Sequence, residues 1–94
     1  MAVYSVWESR FPAHRADEGI RVTQAIWKDM LSFDGYLEHQ LIQDLDEPGH
    51  LFVVSRWADR AAADAALSYV SHPNARRVEQ LVSEPRRRTL GAAR

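Results

Sequence analysis

Polar and apolar residues alternate along the first ten positions of the chain. Within Ala2–Arg10, Val3 and Trp7 fall on one face, and Tyr4 and Val6 fall on the other. A period of two with β-branched and aromatic residues is typical of a β-strand. This segment is therefore predicted to be the first strand.

The period changes from about Ala16 onward, where apolar residues recur with helical spacing. Asp17 and Glu18 lie in the predicted first turn, where the helix dipole favours acidic side chains. Gly35 is expected to end this helix as its C-terminal cap. The predicted inner stripe consists of Ile20, Thr23, Ile26, Trp27, Met30 and Leu31.

Two further alternating segments, Tyr36–Asp44 and Leu51–Trp57, are predicted to pair as a hairpin. The sequence Asp46-Glu47-Pro48-Gly49 lies between them, with Pro and Gly in the order that a type II turn uses. The second of these strands is the more apolar one.

Asp59 is expected to cap a second helix. The pair His72-Pro73 interrupts that helix, because the residue before a proline avoids helical geometry. A short third helix over residues 75–82 follows, and Arg87–Ala92 is predicted to be a weak last strand. The predicted inner stripe of the second helix consists of Ala62, Ala63, Ala66, Leu67 and Val70.

The predicted order is therefore β-α-β-β-α-(α)-β. With 94 residues, the chain has room for a single domain, here residues 1–94. Two βαβ-like crossovers joined by a hairpin make a four-stranded antiparallel sheet with its helices on one face, the ferredoxin-like α+β fold.

Both faces of this sheet carry large apolar side chains, although the helices can cover only one. An uncovered apolar face exceeds what a monomer usually tolerates. We therefore expect a homodimer that packs sheet to sheet about a twofold axis. One face is predicted to hold Trp7, Leu37, Leu41, Val53 and Trp57, and the other Tyr4, Val6, Tyr36, Ile42, Phe52 and Val54.

Composition narrows the function classes. The chain is 46% hydrophobic and 27% charged, as an ordinary globular domain is. Its net charge of −1 provides no basic bias toward nucleic acid, and it has no cysteine for a thiolate metal site or nucleophile. No apolar run reaches the length of a membrane span. A cytoplasmic location is the expectation.

No familiar catalytic or metal motif is present. No two histidines have the i, i+4 spacing of a helical zinc site, so no metal site is predicted. The arginine clusters Arg76-Arg77 and Arg86–Arg88 are interpreted as a solvated face or a salt-bridged dimer rim, because Glu79 and Glu84 balance them. The four histidines are His14, His39, His50 and His72.

Aromatic residues are the more informative feature. Trp7 and Trp57 are predicted to share a sheet face with His39, and Trp27 comes from the first helix. If the helices cover that face, the rings surround an apolar cleft with a few polar groups, which is typical of a site for a flat organic ligand. The alternative is that the tryptophans simply fill the core.

Three stretches resemble the antibiotic biosynthesis monooxygenase (ABM) family. They are Phe33–Leu41, with its Gly-Tyr opening, Leu51–Trp57, with its terminal Trp, and Tyr69–Pro73, with its His-Pro ending. The resemblance covers nearly the whole chain and implies a dimeric α+β barrel.

The resemblance also implies a choice of chemistry. Some members oxidise phenolic or hydroquinone rings to quinones with O2 and without a cofactor, and others degrade haem. The haem-degrading branch uses an Asn, a Trp and a His where this chain has Ser9 or a neighbour, Ala66 and Arg76, so haem is not expected. The quinone-forming branch uses an Asn, a Trp, a Tyr and an Arg around its pocket. Trp57, Tyr69 and an Arg are present here, and the sole Asn, Asn74, follows Pro73.

The expected activity is therefore a cofactor-free monooxygenase acting on a small aromatic substrate and O2. His39 or His72 would take the phenolic proton, since histidine titrates near neutral pH. A non-catalytic metabolite-binding dimer and a metabolite isomerase on the same scaffold remain the alternatives. The substrate-binding residues are expected to be Trp7, Trp27, Trp57, Tyr69 and Ser55, and the catalytic residues His39 and His72.

Overall fold

Residues 2–94 are described by a computed structural model, in which helices pack on one face of an antiparallel sheet. The strand order is β2-β3-β1-β4 and every neighbouring pair is antiparallel, which confirms the ferredoxin-like fold. Within the described residues, no helix combines the length and the apolar character needed to cross a bilayer. The strands are β1 (Val3–Arg10), β2 (Tyr36–Gln43), β3 (His50–Trp57) and β4 (Arg87–Gly91), and the helices are α1 (Ala16–Met30), α2 (Arg60–Ala65) and α3 (Pro73–Leu81).

Helix α1 supplies most of the helical side of the core. Its predicted stripe is buried at Ile26, Trp27 and Met30, each 5–6% exposed. The prediction is wrong at Leu31, which is 58% exposed because it lies at the end of the helix. Asp17 and Glu18 occupy its first turn. The predicted cap is wrong, because the helix ends at Met30 with Leu31 as its C-cap. Gly35 lies four residues further on with a φ of +83°, a backbone conformation that favours glycine.

Helix α2 is shorter than predicted. Asp59 caps it, and its Oδ1 accepts a hydrogen bond from the Ala62 backbone N–H at 2.8 Å. The chain then tightens into a 3-10 helix over Ala66–Ser71. Because a 3-10 turn has three residues rather than 3.6, the inward position shifts. Tyr69 is buried, and Val70, which α-helical spacing placed on the inner stripe, is 53% exposed.

The predicted faces of β2 are wrong at its first two residues. A register irregularity lies between Tyr36 and Glu38, and Tyr36 pairs with Trp57. The extra residue reverses the alternation, so Tyr36 lies on the helix-covered face and Leu37 is 43% exposed. Beyond this bulge the prediction is confirmed, since Leu41 pairs with Val53.

The β2–β3 turn also differs from the prediction. The His50 N–H donates to the Glu47 carbonyl at 2.9 Å, which closes a four-residue turn. Among the described residues Gly35 alone has a positive φ, so Gly49 cannot occupy the third position of a type II turn. Glycine is required there because a Cβ would lie 2.0 Å from the Phe11 carbonyl oxygen. The Gly49 carbonyl accepts a hydrogen bond from Phe11 N–H at 2.8 Å.

Replacing Gly49 with alanine therefore tests this close approach. We expect Gly49→Ala to lower the free energy of unfolding by about 1–3 kcal/mol, the usual cost of overpacking. Gly91→Ala is the matched control, because its Cβ meets nothing within 4 Å, and it is expected to stay within about 0.5 kcal/mol of the parent. Urea unfolding followed by tryptophan fluorescence measures both. Equal stabilities for the two variants would contradict the close approach at Gly49.

Candidate functional site

A cleft lies between the inner face of the sheet and the helices. It has a cavity volume of about 50 Å3 and opens to solvent. Aromatic rings from Trp7, Trp27, Trp57 and Tyr69 line it, as predicted. A largely apolar cleft of this kind suits a flat organic molecule. The polar residues in its lining are Ser5, Ser9, Thr23, Arg86 and Arg88.

The tryptophans of the cleft differ in how far they are packed. Trp57 is 1% exposed and Trp27 is 5% exposed, and their rings lie 6.5 Å apart. These two residues therefore serve the core as well as the cleft wall, so the core-filling interpretation is correct in part. Trp7 on β1 is only half-buried, which makes its ring the more accessible surface for a ligand.

Ser55 lies beneath the cleft rather than in its wall. It is 1% exposed, accepts a hydrogen bond from the Trp57 indole N–H at 2.9 Å, and donates one to the Ser5 carbonyl at 3.3 Å. Its hydroxyl is thus engaged by the protein itself. Ser55 fixes the orientation of the Trp57 ring, and it does not face the cleft space.

Tyr69 brings a hydroxyl group to the helical rim of the cleft. That hydroxyl donates to Asp29 Oδ2 at 2.5 Å and accepts from Asn74 Nδ2 at 3.3 Å. Burial, followed by the hydrogen bond to Asp29, raises the pKa of Tyr69 to about 12. Tyr69 therefore keeps its proton at neutral pH and cannot itself act as a base there.

His72 lies just outside the cleft. Its ring stacks on Tyr69 at 4.4 Å and 11°. Nδ1 accepts the Asn74 backbone N–H at 3.0 Å and so caps α3. In the neutral ring the proton is then on Nε2, which lies 3.9 Å from Asp29 Oδ2. The His72 side chain is 41% exposed, so it connects the cleft rim with solvent.

His39 does not line the cleft either. It is on the inner face of β2, opposite Ser55, and its ring lies 5.2 Å from the Trp27 ring. The Tyr36 hydroxyl is 2.6 Å from its Nδ1. Burial lowers the pKa of His39, which favours the neutral ring. His39 thus reaches the cleft only through Trp27, and with Ser55 it borders a separate polar recess along β2 and β3.

Arg86 and Arg88 are cleft residues that the sequence interpretation missed. Both side chains are mostly buried, at 13% and 18% exposure, whereas Arg87 is exposed. The signal was the period of two along β4, which directs alternate residues to the same face. The sequence alone predicts a solvated face or a salt-bridged dimer rim for all three arginines, because charge runs usually belong to a solvated surface.

Comparison with known protein families decides what kind of domain this is. The family model described as "Antibiotic biosynthesis monooxygenase" matches residues 3–78, which is most of the chain. The chain belongs to the ABM family.

Solved structures give the same architecture for this ABM domain. A conserved protein from Methanosarcina mazei superposes with a TM-score of 0.82 at 12% identity, over 100% of this chain and 94% of that one. A variant of SnoaB, a cofactor-independent oxygenase from Streptomyces nogalater, gives 0.86 at 20% identity, over 99% and 93%. Rv0793 from Mycobacterium tuberculosis gives 0.78 at 20% identity, over 99% and 95%. At these identities the likeness establishes the fold. No curated protein sequence matches the chain.

A second cluster of titratable groups lies on the opposite side of the sheet, around His50. The His50 residue is 6% exposed, and its Nδ1 and Nε2 lie 2.8 Å from Asp44 Oδ2 and 2.5 Å from Glu8 Oε2. Since ionised carboxylates only accept hydrogen bonds, both ring nitrogens act as donors and the ring is an imidazolium. The charged groups facing His50 also include Glu47 and Arg10.

This cluster also bears on the prediction that the chain has no metal site. Ligand atoms of Asp44, Glu47 and His50 lie within 4.8 Å of one another, a grouping that histidine spacing did not reveal. His50 Nδ1 is already bonded to Asp44, and Arg10 forms an ion pair with Glu47 at 2.5 Å. The contacts are those of an ion-pair network that joins β1, the β2–β3 turn and β3.

The His50 network predicts a pH-dependent contribution to stability. The Asp44 hydrogen bond raises the pKa of His50 above its usual value despite burial, and the same bond lowers the pKa of Asp44. The His50 contribution is therefore complete below about pH 6.5 and is lost as pH rises through its raised pKa. The Asp44 contribution is lost only in acid, as pH falls through its lowered pKa. Of these two groups, His50 is therefore the one whose contribution changes between pH 5 and 9.

We expect His50→Gln to be less stable than the parent near pH 6, with a difference that shrinks as pH rises toward 9. Comparing free energies of unfolding at each pH cancels the titration of the other histidines. His14→Gln is the control, since His14 is exposed. A parent-to-variant difference that is constant across this range would contradict the imidazolium assignment.

Proposed function

We propose that this ABM domain is a cofactor-independent monooxygenase that oxidises a small phenolic or hydroquinone-type aromatic compound with O2. The observation that carries the proposal is the cleft lined by three tryptophans and Tyr69 in a chain of this family. The description of SnoaB as a cofactor-independent oxygenase supports it by analogy.

The proposed reaction needs no external reductant. A phenol that loses its proton becomes an electron-rich anion that can pass an electron to O2. One oxygen atom then enters the ring, and the other leaves as water with two hydrogen atoms from the substrate. A phenol plus O2 thus gives a quinone plus water, and the substrate supplies all the electrons. The protein must supply a base, an apolar cavity and stabilisation of the anion.

In this proposal the cleft residues position the ring and exclude water. Trp7 offers its half-buried face for stacking, and Trp27 and Trp57 form the rigid wall behind it. Tyr69 keeps its proton, which it donates in a hydrogen bond to Asp29, and its oxygen can accept a hydrogen bond from a substrate hydroxyl. That hydrogen bond would hold the substrate hydroxyl at the rim where His72 lies.

His72 is the better placed of the two candidate bases. It stacks on Tyr69, which lines the cleft, and its Nε2 lies near Asp29 at the solvent side. His39 contacts the cleft only through the Trp27 ring, although its lowered pKa keeps it in the basic form. The proposal therefore assigns proton removal to His72, whose Nδ1 takes the proton in place of its hydrogen bond from the Asn74 backbone N–H. It assigns a packing role beside Trp27 to His39.

A non-catalytic ligand-binding domain is the second candidate function. It is favoured by one observation, that neither His39 nor His72 belongs to the cleft lining. Such a domain would bind the aromatic compound, and so quench tryptophan fluorescence, without consuming O2.

Oxygen consumption separates these two functions. Purified protein, with no flavin, metal or haem added, is mixed with anthrone or a naphthol, and O2 uptake and quinone formation are recorded. The monooxygenase predicts one 18O atom per quinone when 18O2 is supplied. Binding without O2 uptake across a panel of phenols would overturn the proposed activity.

Two conservative variants test the base assignment. We expect His72→Asn to lower kcat by roughly 10²–10⁴, the usual contribution of a general base. Asparagine can still cap α3, so the loss would not come from unfolding of that helix. We expect His39→Gln to lower kcat less than about tenfold. A larger loss in His39→Gln than in His72→Asn would reverse the assignment, and full activity in both would leave deprotonation to substrate acidity.

We also propose that the domain is a homodimer formed through the outer face of the sheet. Phe52, Val54, Tyr4 and Val6 remain half-buried on this face, and Ile42 is 42% exposed. Burying a large apolar side chain contributes about 1.5–3 kcal/mol, so covering several of them would stabilise a dimer. A second copy provides the matching apolar surface.

Light scattering coupled to gel filtration at micromolar concentration tests the dimer. We expect about twice the chain mass of 10.8 kDa for the parent, and a shift toward monomer for Phe52→Asp. Leu45→Asp is the control, because Leu45 is 98% exposed in the β2–β3 connection and lies outside the sheet face. A monomeric parent would refute the proposal.

A further inference from the structure

The charged groups of the cleft are of one sign. Among the described residues that line it, Arg86 and Arg88 are the charged ones, and no acidic side chain shares the lining with them. Arg88 lies on β4, and Arg86, two residues earlier, immediately precedes the strand, so the two side chains lie on the same side of the chain. The Arg86 guanidinium lies 4.6 Å above the Trp7 ring, and Arg88 pairs with Trp7 across the sheet. Positive charge therefore borders the most accessible ring of the cleft.

The carboxylates that pair with these arginines lie on the solvent side. Glu79 accepts from Arg86 Nε at 2.7 Å, and Asp64 accepts from one amino group of Arg88 at 3.1 Å. These two carboxylates are 52% and 47% exposed, whereas the guanidiniums are mostly buried. The ion pairs hold the arginines in position, and water screens the acidic partners more than the cationic ones.

Hydrogen-bond donors remain on both guanidiniums after these contacts. A guanidinium has five N–H donors. Arg86 uses Nε for Glu79, and Arg88 uses one amino group for Asp64 and the Ala63 carbonyl. The remaining N–H groups of each arginine can bind an oxygen anion in the cleft, in the planar geometry that suits carboxylates.

We infer that the cleft selects aromatic anions, and that Arg86 and Arg88 are the residues that set this charge selectivity. The ring stacks on Trp7, and the anionic oxygen meets the guanidinium donors at the β4 wall. An ionised phenol and an aromatic carboxylate share this chemistry. The inference takes the location of the site from the proposed function. It does not depend on catalysis, because binding measurements alone test it.

Three probes of matched shape separate charge from ring binding. They are 2-naphthoate, 2-naphthol and 2-naphthalenemethanol, with Kd measured at pH 7 by calorimetry and tryptophan quenching. We expect the carboxylate to bind at least tenfold more tightly than the neutral alcohol. The Kd of naphthol is also measured across the pH range in which naphthol itself ionises. A Kd that falls as the probe ionises shows that a phenolate is selected as well. Equal Kd values for all three probes, or no binding of any, would overturn the inference.

Variants identify the residues responsible. Arg86→Gln and Arg88→Gln are each expected to weaken naphthoate binding by roughly 10- to 100-fold, the loss of a charge-assisted hydrogen bond. The alcohol should stay within about threefold. Arg87→Gln is the matched control, because Arg87 is exposed on the opposite face of β4.

Two further outcomes keep the inference distinct from folding and from catalysis. Arg86→Lys and Arg88→Lys retain the positive charge. If the glutamine variants fold less well than the parent, these lysine variants should recover part of the preference for naphthoate over the alcohol. Weakening of all three probes alike would indicate lost packing and would overturn the inference. Charge-selective binding without O2 uptake would refute the proposed monooxygenase and leave the selectivity standing.

Discussion

The structure depends on the burial of one face of β3. Leu51, Val53, Ser55 and Trp57 alternate along this strand, and each is 1–3% exposed. Being central in the sheet, β3 pairs with both β1 and β2, and its inner face is covered by the helices. The burial of Trp57 is completed by the Ser55 hydroxyl, which accepts the hydrogen bond of the indole N–H, so this buried donor is paired.

That constraint also shapes the cleft. Because Trp57 and Trp27 are fixed by packing, the remaining space lies toward Trp7, Tyr69 and the β4 arginines. The inner face therefore combines a rigid aromatic wall with a rim that carries Arg86, Arg88, Tyr69 and His72. The other titrating cluster, around His50, is on the outer side of the sheet. The pH-sensitive ion-pair network and the proposed ligand site thus use separate sets of residues.

Sequence patterns predicted the fold well, since period-two and helical spacings directly report which residues are buried. They failed where one residue changes the geometry without changing the composition. The bulge at Tyr36 and Leu37 is one such place, because both residues are apolar and either suits the inner face. The shift near Tyr69 and Val70 is another, since a 3-10 turn and an α-helix have similar composition. Arg86 and Arg88 were missed as cleft residues because their burial depends on contacts with Glu79, Asp64 and Trp7, which are distant in sequence.

The central claim is that an aromatic substrate binds between the sheet and the helices, and a crystal structure with a bound naphthohydroquinone tests it most directly. Crystals would be soaked and frozen without O2, so that the ring is not oxidised. The account predicts the ring against Trp7 within contact of Tyr69, with an oxygen directed toward Arg86 or Arg88. A ring bound outside the cleft, with the space closed by the protein's own tryptophans, would contradict it.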